Sequence, residues 1–99
     1  MPRDRRIVDK GLLKKGFVKS ERDHTYYTFH TTSGVKTSVF TKVSHGAREI
    51  SDNLLSKMSR QMRLSRSEFD ELIDCTISRH DYEQKLILSG SITVAVEPD

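Results

Sequence analysis

The hydrophobic period changes once along this chain, and the change limits the folds open to it. Between Phe17 and Ser44 apolar and β-branched residues alternate with a period of two, whereas from Ser51 onward they recur every three to four residues. A period of two puts successive side chains on opposite faces of a strand, and a period of 3.6 gathers them into one stripe on a helix. Three runs fill the first part: Phe17 to Asp23, His24 to Thr32, and Lys36 to Ser44. The second run is dense in Thr and Tyr, which suit strands. In the third, Thr37, Val39, Thr41 and Val43 alternate with Lys36, Ser38, Phe40 and Lys42. Between the last two, "TTSGVK" supplies a turn with Ser33-Gly34 at its apex.

Helices are expected on either side. Ile7, Val8, Leu12 and Leu13 mark one face of a helix over Arg5 to Lys15, although Gly11 weakens it by roughly 1 kcal/mol relative to alanine. Gly16 suits the left-handed residue that ends such a helix. Ile50, Leu54, Leu55, Met58 and Met62 form a second stripe behind Ser51 as N-cap. "SRSE", Ser65 to Glu68, is a capping box that opens a helix through Asp74. "SRHD" from Ser78 opens another that ends near Leu88, "SGS" breaks the chain, and "ITVAV", Ile92 to Val96, alternates as a tail strand. The fold class is α+β: a helix, a three-stranded antiparallel sheet and a helix, then a C-terminal helical extension and a short tail strand. Helices on one face of the sheet leave the other face open.

A chain of 99 residues implies one domain, here a core over residues 1–64 followed by an acidic extension over 65–99. With 34% hydrophobic residues the core is small, which favours a homodimer or a permanent partner. The net charge of +3 hides an asymmetry. Met1 to Arg66 carries 15 Lys/Arg against 6 Asp/Glu, a net of +9, and Ser67 to Asp99 carries 2 against 8, a net of −6. A basic body suits a polyanion, and the acidic segment suits a basic surface on its own chain or on a second copy. The lone Cys75 makes no internal disulfide, fits a reducing, cytoplasmic compartment, and is expected as a small buried residue at a helix end. No secretory signal, bilayer-spanning apolar run or Cys/His zinc cluster is legible, and no cofactor is implied.

"RDHTYYTF", Arg22 to Phe29, admits two readings: a surface histidine on a strand ladder, in a non-catalytic RNA-binding or protein-interaction module, or a proton-transfer group on the open face of a sheet that binds and cuts RNA. If Tyr27 and Phe29 pack under the helices, then His24, Tyr26, Thr28 and His30 face the open side. Imidazole is the side chain that exchanges protons near neutral pH, as RNA cleavage by the ribose 2′-hydroxyl requires. Cations would stabilise the charge that builds on phosphorus, and Arg22, Lys36, Lys42 and Arg48 are the candidates. Tyr26 is placed to stack on a base or to pack across the sheet. His45, ahead of a helix start, is placed to hold a phosphate or to pack its loop.

From Ile7 to Leu64 the sequence resembles the HicA family of toxins from bacterial and archaeal toxin–antitoxin systems. The resemblance rests on Gly16-Phe17 after the first helix, on His24 followed by Tyr27, and on His45, Arg48, Glu49 and Ile50 leading into a helix striped with leucine and methionine. It implies a fold like the double-stranded-RNA-binding domain and a metal-independent ribonuclease that cleaves messenger RNA and is held inactive by an antitoxin protein. It also implies that His24 is the catalytic residue. Two features depart from the family pattern: Arg22-Asp23 stands where a small pair such as Gly-Ser usually precedes the histidine, and Ser65 to Asp99 has no counterpart.

Overall fold

The computed structural model describes residues 2–46 and 48–92. Its core has the expected order of helix, three strands and helix. A short strand β1 (Arg3–Asp4) leads into helix α1 (Arg5–Lys14), and the antiparallel meander follows as β2 (Phe17–Glu21), β3 (Thr25–His30) and β4 (Lys36–Val43). Then come β5 (Glu49–Ile50), α2 (Asp52–Gln61), α3 (Arg66–Ile73) and α4 (Arg79–Leu88). The tail expected as a strand from Ile92 to Val96 falls, beyond Ile92, outside the described residues.

Each helix starts where a side chain satisfies an orphan backbone N–H. Asp4 accepts from Arg6 N, Ser51 from Leu54 N and Ser78 from Asp81 N, while Ser65 and Glu68 close a reciprocal capping box. Helix α1 ends at Gly16, whose φ of +94° is open to glycine at little cost. Space also requires glycine there, because a Cβ would lie 2.3 Å from Nε of Arg79.

The meander buries one face. Along β3 burial alternates strictly, with Thr25, Tyr27 and Phe29 buried and Tyr26, Thr28 and His30 half-exposed. The register pairs Phe17 with Phe29 and Lys19 with Tyr27 on one side, and Tyr26 with Lys42 and Thr28 with Phe40 on the other. It slips between Thr28 and His30. There the Thr37 hydroxyl donates to the Phe29 carbonyl at 2.8 Å and accepts from Val39 N at 3.2 Å, so the irregularity on β4 is bridged by a side chain.

The segment after Leu64 completes the core. Phe69, Leu72, Ile73, Tyr82 and Leu86 join Val8, Leu12, Phe17, Phe29, Leu55 and Met58 in one buried cluster. Tyr82 packs its ring on Phe29 (centroids 5.0 Å) and Phe17 (5.8 Å), and its hydroxyl donates to the Met62 carbonyl at 2.7 Å. The acidic side chains of α3 find basic partners on their own chain, with Asp70 and Asp74 gripping Arg3 at 3.0 and 2.5 Å. Arg79 donates to the carbonyls of His30 and Thr31, and buried Glu83 accepts from Thr32 N at 2.6 Å, so α4 also ties down the far end of β3. Cys75 is exposed rather than buried: at φ +68° it forms part of the turn after α3, where its thiol reaches the Ile73 carbonyl at 3.9 Å. No helix among the described residues is long and apolar enough to cross a membrane.

Candidate functional site

The open face of the meander is built from short rungs. Val18, Thr28 and Phe40 face one another across the three strands, and Ser20, Tyr26 and Lys42 form the next rung toward the β2–β3 turn. His24 lies in that turn, one residue before β3, not within the strand as the Thr/Tyr-rich run suggests. The turn is tight, with Arg22 N donating to the His24 carbonyl at 2.9 Å. His24 nevertheless keeps the expected face, its ring centroid 6.5 Å from that of Tyr26. Tyr26 in turn lies 6.2 Å from Phe40. The guanidinium carbon of Arg22 sits 4.4 Å from the Tyr26 ring centre, a cation–π contact.

The two histidines at this end of the sheet differ in a way the sequence does not show. Both ring nitrogens of His45 are engaged: Nε2 lies 3.0 Å from the Arg22 carbonyl oxygen and Nδ1 3.4 Å from the Thr25 hydroxyl. Neither ring nitrogen of His24 makes a hydrogen bond among the described residues. Instead His24 borders a shallow cleft of about 150 Å3 lined by Lys42, Val43, Ser44, Leu54, Lys57 and Gln61. Arg5 supports the cleft from behind, its guanidinium donating to the Ser44 carbonyl at 2.6 Å and reaching the Thr25 hydroxyl at 3.4 Å.

The Asp23 carboxylate is turned into the hairpin. Desolvation works against its ionisation, but the His24 backbone N–H, the Tyr26 hydroxyl 3.2 Å away and the neighbouring His24 side chain together hold its pKa below the ordinary value. The cleft itself is lined by the cations Lys42 and Lys57, with Arg22 over Tyr26 and the Asp23 carboxylate beside His24 in the turn.

Of the residues singled out in the sequence, Arg22, His24, Tyr26 and Lys42 come together, and His45 braces them from behind. Lys36 pairs with His30 at the opposite end of β4, six residues from Lys42 and so roughly 20 Å away along the strand. Arg48 lies beside Arg5, Arg6 and Gly46 around a separate hollow. Phe40, Lys57 and Gln61 were not singled out. Phe40 is visible in the alternation of β4. Lys57 and Gln61 lie four apart on α2, a spacing that puts both on one helix face, but nothing in the sequence aims that face at His24. Among the described residues no three His, Cys, Asp or Glu side chains gather as a metal site. Comparisons with protein-family models, with curated proteins and with solved structures found no match.

Proposed function

We propose that the chain is a HicA-like toxin, a cytoplasmic ribonuclease that cleaves messenger RNA with His24 as general acid and base and is restrained by an antitoxin protein. The reading is supported above all by one observation: His24 leaves both ring nitrogens unengaged at the mouth of a cleft that also holds Lys42 and Lys57. The order of helix, three strands and helix that the resemblance implies supports it further.

In this reading the neutral imidazole takes the proton of a ribose 2′-hydroxyl. The 2′-oxygen attacks the adjacent phosphorus, the bond to the 5′-oxygen breaks, and a 2′,3′-cyclic phosphate forms. The leaving oxygen recovers that proton from the imidazolium, directly or relayed through a water, so the histidine ends as it began. Lys42 and Lys57 stabilise the charge on the phosphoryl oxygens, and Arg22 holds a neighbouring phosphate. No step needs a metal ion.

Induced expression of the wild-type chain beside His24→Ala tests the proposal, together with purified protein on a defined RNA. The wild type should arrest growth and leave 2′,3′-cyclic phosphate ends. His24→Ala should melt within a few degrees of the wild type and cleave at least about a hundred times more slowly. Cleavage by the alanine variant at the wild-type rate would remove His24 from the mechanism.

A further inference from the structure

The ring best placed to meet a base is not the one the sequence points to. One face of Tyr26 is occupied by the Arg22 guanidinium, and its hydroxyl is bonded to Asp23. Phe40, one rung further from His24, is 45% exposed on the same open face, and Val18 on its rung is 50% exposed. Neither has a polar group to justify its place in water. Arg22 and Lys42 are cations on this face, Lys57 of α2 borders the same cleft, and Asp23, the residue before His24, accepts from the Tyr26 hydroxyl. An apolar ring flanked by cations suits a nucleobase attached to a phosphate better than it suits an acid-poor protein surface.

We propose that the open face takes single-stranded RNA, with one unpaired base stacked on Phe40 beside the linkage that His24 cleaves. The inference rests on the ribonuclease reading and specifies its substrate. Bases inside a duplex are stacked on one another and cannot lie on a ring in the middle of a sheet, whereas a single strand can splay a base onto it. Phe40 then acts as a positioning residue. It anchors the nucleotide next to the scissile one and leaves the reacting ribose and phosphate free to align in the cleft.

The test uses His24→Ala as a non-cleaving background and measures equilibrium binding of one oligoribonucleotide, single-stranded or annealed to its complement, over a range of salt. Adding Phe40→Ala should weaken single-strand binding roughly ten-fold. It should leave the salt dependence of that binding unchanged, because no phosphate contact is lost. Duplex affinity should not move. The chain contains no tryptophan, so Phe40→Trp supplies a single reporter. Its emission should be quenched by the single strand and not by the duplex, with affinity retained. Equal affinity with and without Phe40, or equal loss for both forms of RNA, would overturn the stacking inference while leaving salt-sensitive RNA binding intact. Failure of both forms to bind at low salt would overturn the RNA reading itself. Emission that changes with protein concentration alone would assign Phe40 to contact with a second copy and overturn the inference as well.

Discussion

His45 Nε2 lies 3.0 Å from the carbonyl oxygen of Arg22, so a residue 23 positions away fixes the turn that presents His24. Its second nitrogen reaches Thr25 on the far side of the same turn. His45→Ala removes two hydrogen bonds from an exposed site, each worth about 1 kcal/mol, so the fold should survive. Cleavage should fall about ten-fold in kcat with KM little changed, and His45→Asn should restore part of it. A rise in KM that steepens with salt would instead identify His45 as a phosphate ligand.

Lys42 and Lys36 sit on one strand but at opposite ends of it. Lys42→Ala should weaken RNA binding at all sequences and reduce the slope of log affinity against log salt by about one. Lys36→Ala should leave the cleavage rate nearly unchanged. Equal effects of the two substitutions on kcat would mean that the strand end, not the cleft, is where phosphate matters.

Tyr82 is buried against Phe17 and Phe29, and its ring comes from the segment that the family resemblance leaves unassigned. Tyr82→Ala should cost about 3–5 kcal/mol, enough to unfold much of the population at room temperature, whereas Tyr82→Phe should cost about 1. Urea denaturation followed by circular dichroism measures both. A chain ending at Leu64 should show no cooperative transition.

Gly11 lies where α1 meets α3, and a Cβ there would come 3.0 Å from Cδ1 and Cγ2 of Ile73 and 3.1 Å from its Cα. Alanine should gain helix propensity, roughly 1 kcal/mol, yet lose more to overpacking. Gly11→Ala should therefore lower the melting temperature. Combining it with Ile73→Val should cost less than the two single changes added together, and strict additivity would show that the helices simply move apart.

Depressed carboxylates, Asp9, Glu68 and Asp74 among them, make stability fall in acid. The Asp9 carboxyl is raised by burial, but the Tyr27 hydroxyl at 2.5 Å and the Lys19 ammonium outweigh that and hold it below its ordinary 3.8. Lys85 holds Glu68 below 4.5, and Arg3 holds Asp74 below 3.8. Because the folded values are depressed, the folded state binds fewer protons than the unfolded chain around pH 4. Their stabilisation is complete above these ordinary values and is lost as pH falls through the lower folded ones. Urea midpoints should be flat from pH 7 to 5 and drop below 4. Asp9→Asn should lessen the drop, and an unchanged acid slope in that variant would show that the other carboxylates account for it.

The main lines of this fold are readable from local pattern. Alternation along "TYYTFH" places Tyr27 and Phe29 inside, and "SRSE" starts α3 by a mechanism confined to four residues. Pairing of Arg3 with Ile50 is not readable, because two-residue strands carry no period. The engagement of His45 is equally hidden, since only the third dimension brings it to Arg22. The place of Tyr82 is hidden too: an aromatic in a charged helix gives no sign of which core it enters. His24 is found by parity even though it stands just outside β3, because the turn preserves the strand's facing through one more residue.

The contact of Arg79, Tyr82 and Glu83 with the C-terminal end of β3 and the residues after it has a consequence for synthesis. Until α4 leaves the ribosome, Phe17 and Phe29 lack their aromatic cover and the carbonyls of His30 and Thr31 lack their donor. Contacts spanning nearly fifty residues or more form late, after the costly closure of a long loop. The core beneath the meander is therefore not closed in a nascent chain that stops before α4, and a stalled chain ending at Ser78 should remain open to protease. Whatever the meander's open face does, it then does only once the last described helix has been made and docked.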